Sequence, residues 1–127
     1  MTISPHLKTA CDLALDELMQ AVKGIKAVVV ATEDGFEVAA RVENTAQIAR
    51  LSAMASSLAA LGAMAGDESR LGLCHSLLME AADGFIAIVQ VRRADVSLIV
   101  SVVTGRDAVV GQLLYFSKKA ASDLQVA

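Results

Sequence analysis

The chain has 127 residues, a formal net charge of −3, 55% hydrophobic residues and 20% charged ones. That length suits one domain, spanning residues 1–127, with a single core. The acidic balance, with three Phe, one Tyr and no Trp, gives neither the basic footprint nor the stacking platform that nucleic acid or an anionic membrane surface would need.

Cys11 and Cys74 are the two cysteines. They stand alone without a CxxC pairing and read as small packed hydrophobes in a reducing compartment. The opening MTISPHLKTACDLALDEL lacks a basic region followed by an apolar core and a small-residue cleavage site, so the expected location is cytoplasmic.

The first helix is expected from about Pro5 to Lys23. Ser4 is its N-cap, Pro5 its first position, and Leu7, Cys11, Ala14, Leu18 and Val22 its apolar stripe. Gly24 supplies a stop. IKAVVVAT, residues 25–32, reads as a strand buried on both faces. Asp34-Gly35 is a hairpin-turn signal. FEVAARVE, residues 36–43, alternates Phe36, Val38, Ala40 and Val42 against Glu37, Arg41 and Glu43, as in an outer strand with one wet face.

Asn44-Thr45 offers the N-cap of a second helix running to about Gly66. RLGLCHSLLMEA, residues 70–81, returns to strand, and Asp83-Gly84 signals a second turn. FIAIVQVRR (85–93) and VSLIVSVVT (96–104) are the last two strands, joined by a tight turn at Ala94-Asp95. A final helix carries Val109, Leu113, Phe116, Ala120 and Leu124 along one stripe.

The order is α-β-β-α-β-β-β-α, an α+β fold with one mostly antiparallel five-stranded sheet in a profilin-like sandwich. The strands apolar on both faces belong in the interior, which predicts the sheet order 2-1-5-4-3. Strand two then guards one edge with charge. Strand three leaves the other edge apolar from Leu71 to Met79, an invitation to pair with another chain.

LSAMASSLAALGAMAG, residues 51–66, is a helix-length run with no charge. At 1.5 Å per residue it spans roughly 24 Å, short of the roughly 30 Å hydrocarbon core, so membrane insertion is not expected. On a helical wheel Leu51, Met54, Ala55, Leu58, Leu61 and Ala65 form a large-residue stripe expected to lie on the sheet. The other side carries Ala49, Ser52, Ala53, Ser56, Ala59, Ala60 and Ala63, small residues that admit a second helix. Alanine on a tolerant helix surface is the bland explanation, but the unprotected third strand independently points to a partner. The expected two-fold interface therefore joins that small-residue face with Leu73, Leu77 and Met79 of strand three.

The element order, GIKAVVVATEDGFEVAAR, LSAMASSLAALGAMA and ADVSLIVSVV together resemble the Roadblock/dynein light chain family, particularly its bacterial members, from about Leu7 to Leu124. The resemblance implies a homodimer with a continuous sheet and paired second helices. It also implies a partner: similar proteins bind small Ras-like GTPases as activators or scaffolds, or serve as adaptors in motor and signalling complexes. Arg50, Met54 and Ser57 of the second helix, with Glu33 and Asp34 of the first turn, are the candidate partner-binding residues.

Sites for chemistry are weak by comparison. His75 and Cys74 are adjacent in an expected strand, point to opposite faces and cannot share a metal. Glu33, Asp34, Glu80 and Asp83 sit at turns, where acidic residues are ordinary. GxSxG, GxxxxGK[ST] and HExxH do not occur. Gly105-Arg106-Asp107 reads as a turn and cap before an anion site, and Arg50 as a solubilising charge before an arginine finger. No catalytic, cofactor or metal residue is nominated. The expected function is a non-enzymatic regulator or scaffold of a Ras-like GTPase. An adaptor without a GTPase is the alternative, and a small-molecule sensor a weaker one.

Overall fold

The computed structural model describes residues 3–127; the first two residues of the stretch read for a targeting signal lie outside them. The elements are α1 (Pro5–Ala21), β1 (Ile25–Thr32), β2 (Glu37–Val42), α2 (Ile48–Glu68), β3 (Ser76–Ala81), β4 (Gly84–Val91), β5 (Leu98–Gly105) and α3 (Val110–Val126). The sheet has the expected order β2-β1-β5-β4-β3, and every neighbouring pair is antiparallel.

Ser4 caps α1, its Oγ accepting from the Leu7 N–H at 3.1 Å, with Pro5 at the first turn where a missing N–H costs nothing. Leu7, Cys11, Ala14, Leu18 and Val22 are all buried as their spacing predicts. With Leu113 and Leu124 of α3 they cover one face of the sheet, over Val28, Val30, Val100 and Val102. Each fully buried Leu contributes about 1.5–3 kcal/mol, so this two-helix layer holds most of the core. Val109 is the exception in the α3 stripe: it is the N-cap and is exposed.

The charged face of β2 is wet at Glu37 and Glu43 but partly covered at Arg41. Arg41 reaches α1, with Nε 3.0 Å from Asp16 Oδ1 and Nη1 3.5 Å from Asp12 Oδ1, so α1 overhangs the strand. The register also slips between Val30 and Ala31. That bulge breaks the simple alternation: Val38 and Ala39 are both buried, and Phe36 is left outside the strand and exposed.

The opposite face carries α2 alone, and here the structure departs from the wheel. Ser52, Ala55, Ala59 and Gly62 turn inward, with Ala55 and Ala59 against Ile88 and Ile99. Small side chains let the helix backbone lie close to the sheet. The large stripe is displaced to one flank, where Leu51 and Leu58 are half-buried and Met54 and Leu61 exposed. Asn44 caps not α2 itself but a single 3-10 turn, Thr45–Gln47, that leads into it. The helix has 21 residues, about 31 Å at 1.5 Å each. It is long and apolar enough to cross a membrane, so length does not set it apart from a span; its inner face is instead occupied by the sheet.

The C-terminal end of α2 closes in a Schellman arrangement. Leu71 N–H reaches Gly66 O at 2.8 Å and Arg70 N–H reaches Asp67 O at 3.0 Å, with Arg70 at φ 57° where glycine is usual. The chain then doubles back along the helix. A Cβ on Gly66 would lie 2.5 Å from Gly72 O, and one on Gly62 would lie 3.0 Å from Cys74 Sγ and Leu77 Cδ1. These two glycines, one turn apart, admit the returning segment.

Glycine to alanine inside a helix normally gains about 1 kcal/mol. At Gly66 the collision with a backbone carbonyl outweighs that gain, so Gly66→Ala should destabilise by about 1–3 kcal/mol. Gly111, in the first turn of α3 with no atom within 4 Å of an added Cβ, should instead gain up to about 1 kcal/mol on Gly111→Ala. Urea unfolding of the two variants checks this, and equal effects would contradict it.

Candidate functional site

Two unguarded features adjoin each other on the α2 side of the molecule. The first is the β3 edge. The strand begins at Ser76, later than the sequence pattern suggests, although His75 O still accepts from Gln90 N–H at 3.0 Å. Leu71 and Leu73, expected in the strand, lie in the preceding loop and are exposed. Leu77 is half-buried against the α2-side cluster, while Met79, two residues on and so on the same face, is 44% exposed.

The second feature is the sheet surface that α2 leaves bare. The N-terminal half of α2 lies near Lys26, Ala27 and Val103, at the start of β1 and end of β5. Gly62, near its C-terminal end, meets Leu77 at the start of β3. The helix thus crosses the sheet diagonally. Beside its large-residue flank runs a groove of about 480 Å³ lined by Lys26, Ala27, Glu43, Asn44, Gln47, Arg50, Leu51, Met54 and Val103. It adjoins a second hollow that shares Lys26 and Val103 and reaches Ile86 and Met79 at the β3–β4 hairpin.

The expected site residues divide accordingly. Ser52 and Ala59, expected on a free interface, are buried against the chain's own sheet. Ala49, Ala53, Ala60 and Ala63 are exposed and Ser56 is half-buried. Ser56 is also engaged within the chain, its Oγ donating to Glu33 O, and the Asp34-Gly35 turn rests on Ala53 and Ser52. Arg50, Met54 and Ser57 are exposed on α2. Glu33 and Asp34 are exposed at the hairpin turn on the other flank of α2 from Arg50 and Met54, so the five do not form one cluster. Lys26, Val103 and Ile86 escaped the sequence reading. They alternate as core strand residues do, and only the diagonal path of α2 uncovers them.

Among the described residues no group of three or more His, Cys, Asp and Glu side chains converges as a metal site. Arg93 Nε lies 2.8 Å from Asp95 Oδ1 and holds that carboxyl below the usual carboxylate range. The same guanidinium donates to Leu124 O and, at 2.9 Å, to Ala127 O. Its role is to clamp the end of α3. Arg106, read as part of a turn, pairs with Glu80 at 2.9 Å and stacks on Phe85.

A model of the Roadblock/LC7 domain matches residues 12–100, from α1 through the middle of β5. The chain belongs to the Roadblock/LC7 family. Solved Roadblock structures carry the same fold. The Roadblock/LC7 domain from Streptomyces avermitilis superposes with a TM-score of 0.81 at 20% identity, over 91% of this chain and 94% of that one. MglB of Myxococcus xanthus gives 0.83 at 12% identity, over 99% and 92%. The gliding protein MglB of Thermus thermophilus gives 0.82 at 13% identity, over 99% and 93%. No curated protein matches in sequence. At these identities the Roadblock likeness is one of fold, carried by pattern rather than by shared side chains.

The two cysteines of this Roadblock domain differ in setting. Burial, followed by the neighbouring Asp12 carboxylate, pushes the Cys11 thiol up to about 11, whereas Cys74 is half-buried in the loop beside α2. The expectation that both are fully packed therefore holds for Cys11 alone. A rise from 9.0 to about 11 lowers the thiolate fraction at neutral pH about a hundredfold. Native labelling with a maleimide should modify one thiol per chain, at Cys74, and denatured labelling two. Peptide mapping that found Cys11 labelled at a comparable native rate would contradict this.

Proposed function

We propose that the chain is a non-enzymatic regulator or scaffold of a small Ras-like GTPase, acting in a bacterial-type cytoplasm as a homodimer. The observation that carries this reading is the unfinished α2 side: one helix on a five-stranded sheet, beside an edge strand whose one charged residue, Glu80, stands near its end. Five strands about 4.8 Å apart make a surface some 19 Å across between outer strand axes, and one helix about 10 Å wide covers roughly half of it. On the opposite face α1 and α3 complete the cover. A second copy, pairing β3 with β3 and laying its own α2 beside the first, would complete this one in a closed two-fold arrangement.

In that assembly Leu61, Leu58 and Met54 lie toward the seam with Leu77 and Met79. Ala53, Ser57, Ala60 and Met64 remain on the outer surface of each α2. Two such surfaces across the two-fold form a platform for one GTPase, placed asymmetrically so that two Roadblock chains serve one partner. Family membership supports this choice of partner, and the lack of charge from Leu51 to Gly66 suits an interface whose specificity comes from shape and rim contacts. The GTP form should bind better, because the γ-phosphate orders the switch loops that such a platform would read. A signalling or motor-complex adaptor without a GTPase is the second reading. A small-molecule sensor is disfavoured: the groove is open, and its polar groups are exposed side chains rather than buried convergent ones.

Sedimentation at micromolar concentration should give twice the chain mass. Leu61→Glu buries a charge in the seam and should yield monomers that keep native circular dichroism, since Leu61 is 59% exposed in the single chain. Binding of a small GTPase from the same genome, loaded with GDP or a non-hydrolysable GTP analogue, should favour the latter at least about tenfold. No binding in either state would leave the adaptor reading in its place.

A further inference from the structure

The outer surface of α2 has an acidic border. One flank of the helix is fixed to the β1–β2 turn: Ser56 Oγ donates to Glu33 O, and a Cβ on Gly35 would lie 3.6 Å from Ala53 Cα and 3.7 Å from Ser56 Cβ. The turn is itself held in shape, since Thr32 Oγ1 donates to Asp34 Oδ1 at 2.7 Å and accepts from Phe36 N–H at 3.1 Å. Glu33 and Asp34 therefore stand at a set place beside Ala53. Asp67 follows Ser56 by about three turns at 3.6 residues each, so it borders the same flank further along, with Glu68 next to it.

Between these carboxylates the helix is bare of charge. Residues 51–66 carry none, and Ala53, Ser57, Ala60 and Met64 are exposed, Met64 at 67%. Glu33, Asp34, Asp67 and Glu68 are exposed, and none takes part in an ion pair among the described residues. The cations of α2 and its ends are Arg50, in the first turn, and Arg70, just past the last. Arg93 lies in the cleft behind the β1–β2 turn, but its Nε is given to Asp95 at 2.8 Å. Carboxylates thus outnumber free cations around the surface, and on the turn flank they stand unopposed.

We propose that the GTPase docks on α2 with a basic face: an apolar centre over Ala53, Ala60 and Met64, and lysine or arginine side chains on the rim that meet Glu33 and Asp34. This rests on the regulator reading and specifies the chemistry of the partner's contact. An uncharged helix surface supplies area but little direction, whereas a rim of one sign steers encounter and fixes orientation. In the dimer reading the seam takes Leu58 and Leu61 on the opposite flank, so the turn flank stays free. A further copy of this chain is a poor occupant, because it would bring the same carboxylates and a net charge of −3 to the contact. An anionic lipid surface is repelled for the same reason.

The test is binding of a small GTPase from the same genome, loaded with a non-hydrolysable GTP analogue, across a range of salt. Glu33→Lys should weaken binding about tenfold at low salt, and Glu33→Gln about threefold. Wild-type affinity should fall as salt rises, and that of Glu33→Lys should fall less. At Glu33 the backbone carbonyl, not the side chain, holds the turn on Ser56, so circular dichroism and oligomeric mass should match wild type. Glu17→Lys makes the same charge change on α1, across the sheet, and should leave binding within about twofold. Equal losses in Glu33→Lys and Glu17→Lys would reduce the effect to net charge and overturn the proposal, as would wild-type binding by Glu33→Lys.

Zero-length carbodiimide coupling locates the contact directly. Cross-linked peptides should join Glu33, Asp34 or Asp67 to lysines of the GTPase. Cross-links confined to the carboxylates of α1 would overturn the proposal. A wild-type chain that binds no GTPase in either nucleotide state would instead overturn the regulator reading beneath it.

Discussion

The contact on which the rest depends is the one between α2 and the sheet, made by Ser52, Ala55, Ala59 and Gly62. These residues contribute little apolar area each, so α2 is held by closeness rather than by mass. The ordinary solution, a helix laying leucines on the strands, is used by α1 and α3 on the other face. Inverting it on α2 places Met54, Leu61 and Met64 where water can reach them. An exposed apolar strip is what the proposed interface would use. The same inversion obliges the chain leaving α2 to pass over Gly62 and Gly66, which delivers β3 to the sheet edge beside that strip.

Much of this fold is legible in the sequence because its strong signals are local. Ser4-Pro5, the runs 25–32 and 98–105, and the Asp-Gly turns specify elements whose neighbours agree with them, and the sheet order follows from which strands are apolar on both sides. What the sequence conceals is rotation. A helix rich in Ala, Ser and Gly with interspersed Leu and Met has no sharp polar boundary, so its wheel permits either face to turn inward. Reading the larger side chains as the inner ones follows the area rule. The structure follows backbone proximity instead, and Ser52 and Ala59 change sides. The β2 bulge is a similar case: one extra residue, Val38, opposite the Val30–Ala31 step breaks an alternation that the sequence displays cleanly.

The site was less legible than the fold for a related reason. Its groove residues Lys26, Val103 and Ile86 come from three strands and are uncovered only through the diagonal path of one helix. No motif marks such a surface, because each residue is an ordinary strand position. The features that sequence did mark, the charge-free helix and the apolar edge, are the two whose meaning does not depend on rotation.

Ser52 and Ser101 lie buried, and their Oγ atoms have no hydrogen-bond partner, a cost of about 1–3 kcal/mol for each. Ser52 is on the face of α2 that meets the sheet, and Ser101 shares its side of β5 with Ile99, against which Ala55 and Ala59 pack. Ser117 of α3 is buried and unpartnered in the same way, so contact area rather than hydroxyls separates the two layers: the α1–α3 layer has five fully buried leucines, Leu7, Leu15, Leu18, Leu113 and Leu124. The α2 side is the more thinly packed half, and it is also the half with the bare groove and the open edge. A partner that buried Met54, Leu61 and Met79 would add apolar area where the chain's own packing is thinnest. In the proposed dimer this thin packing gives the α2 surface more to gain from a partner than the leucine-packed face opposite.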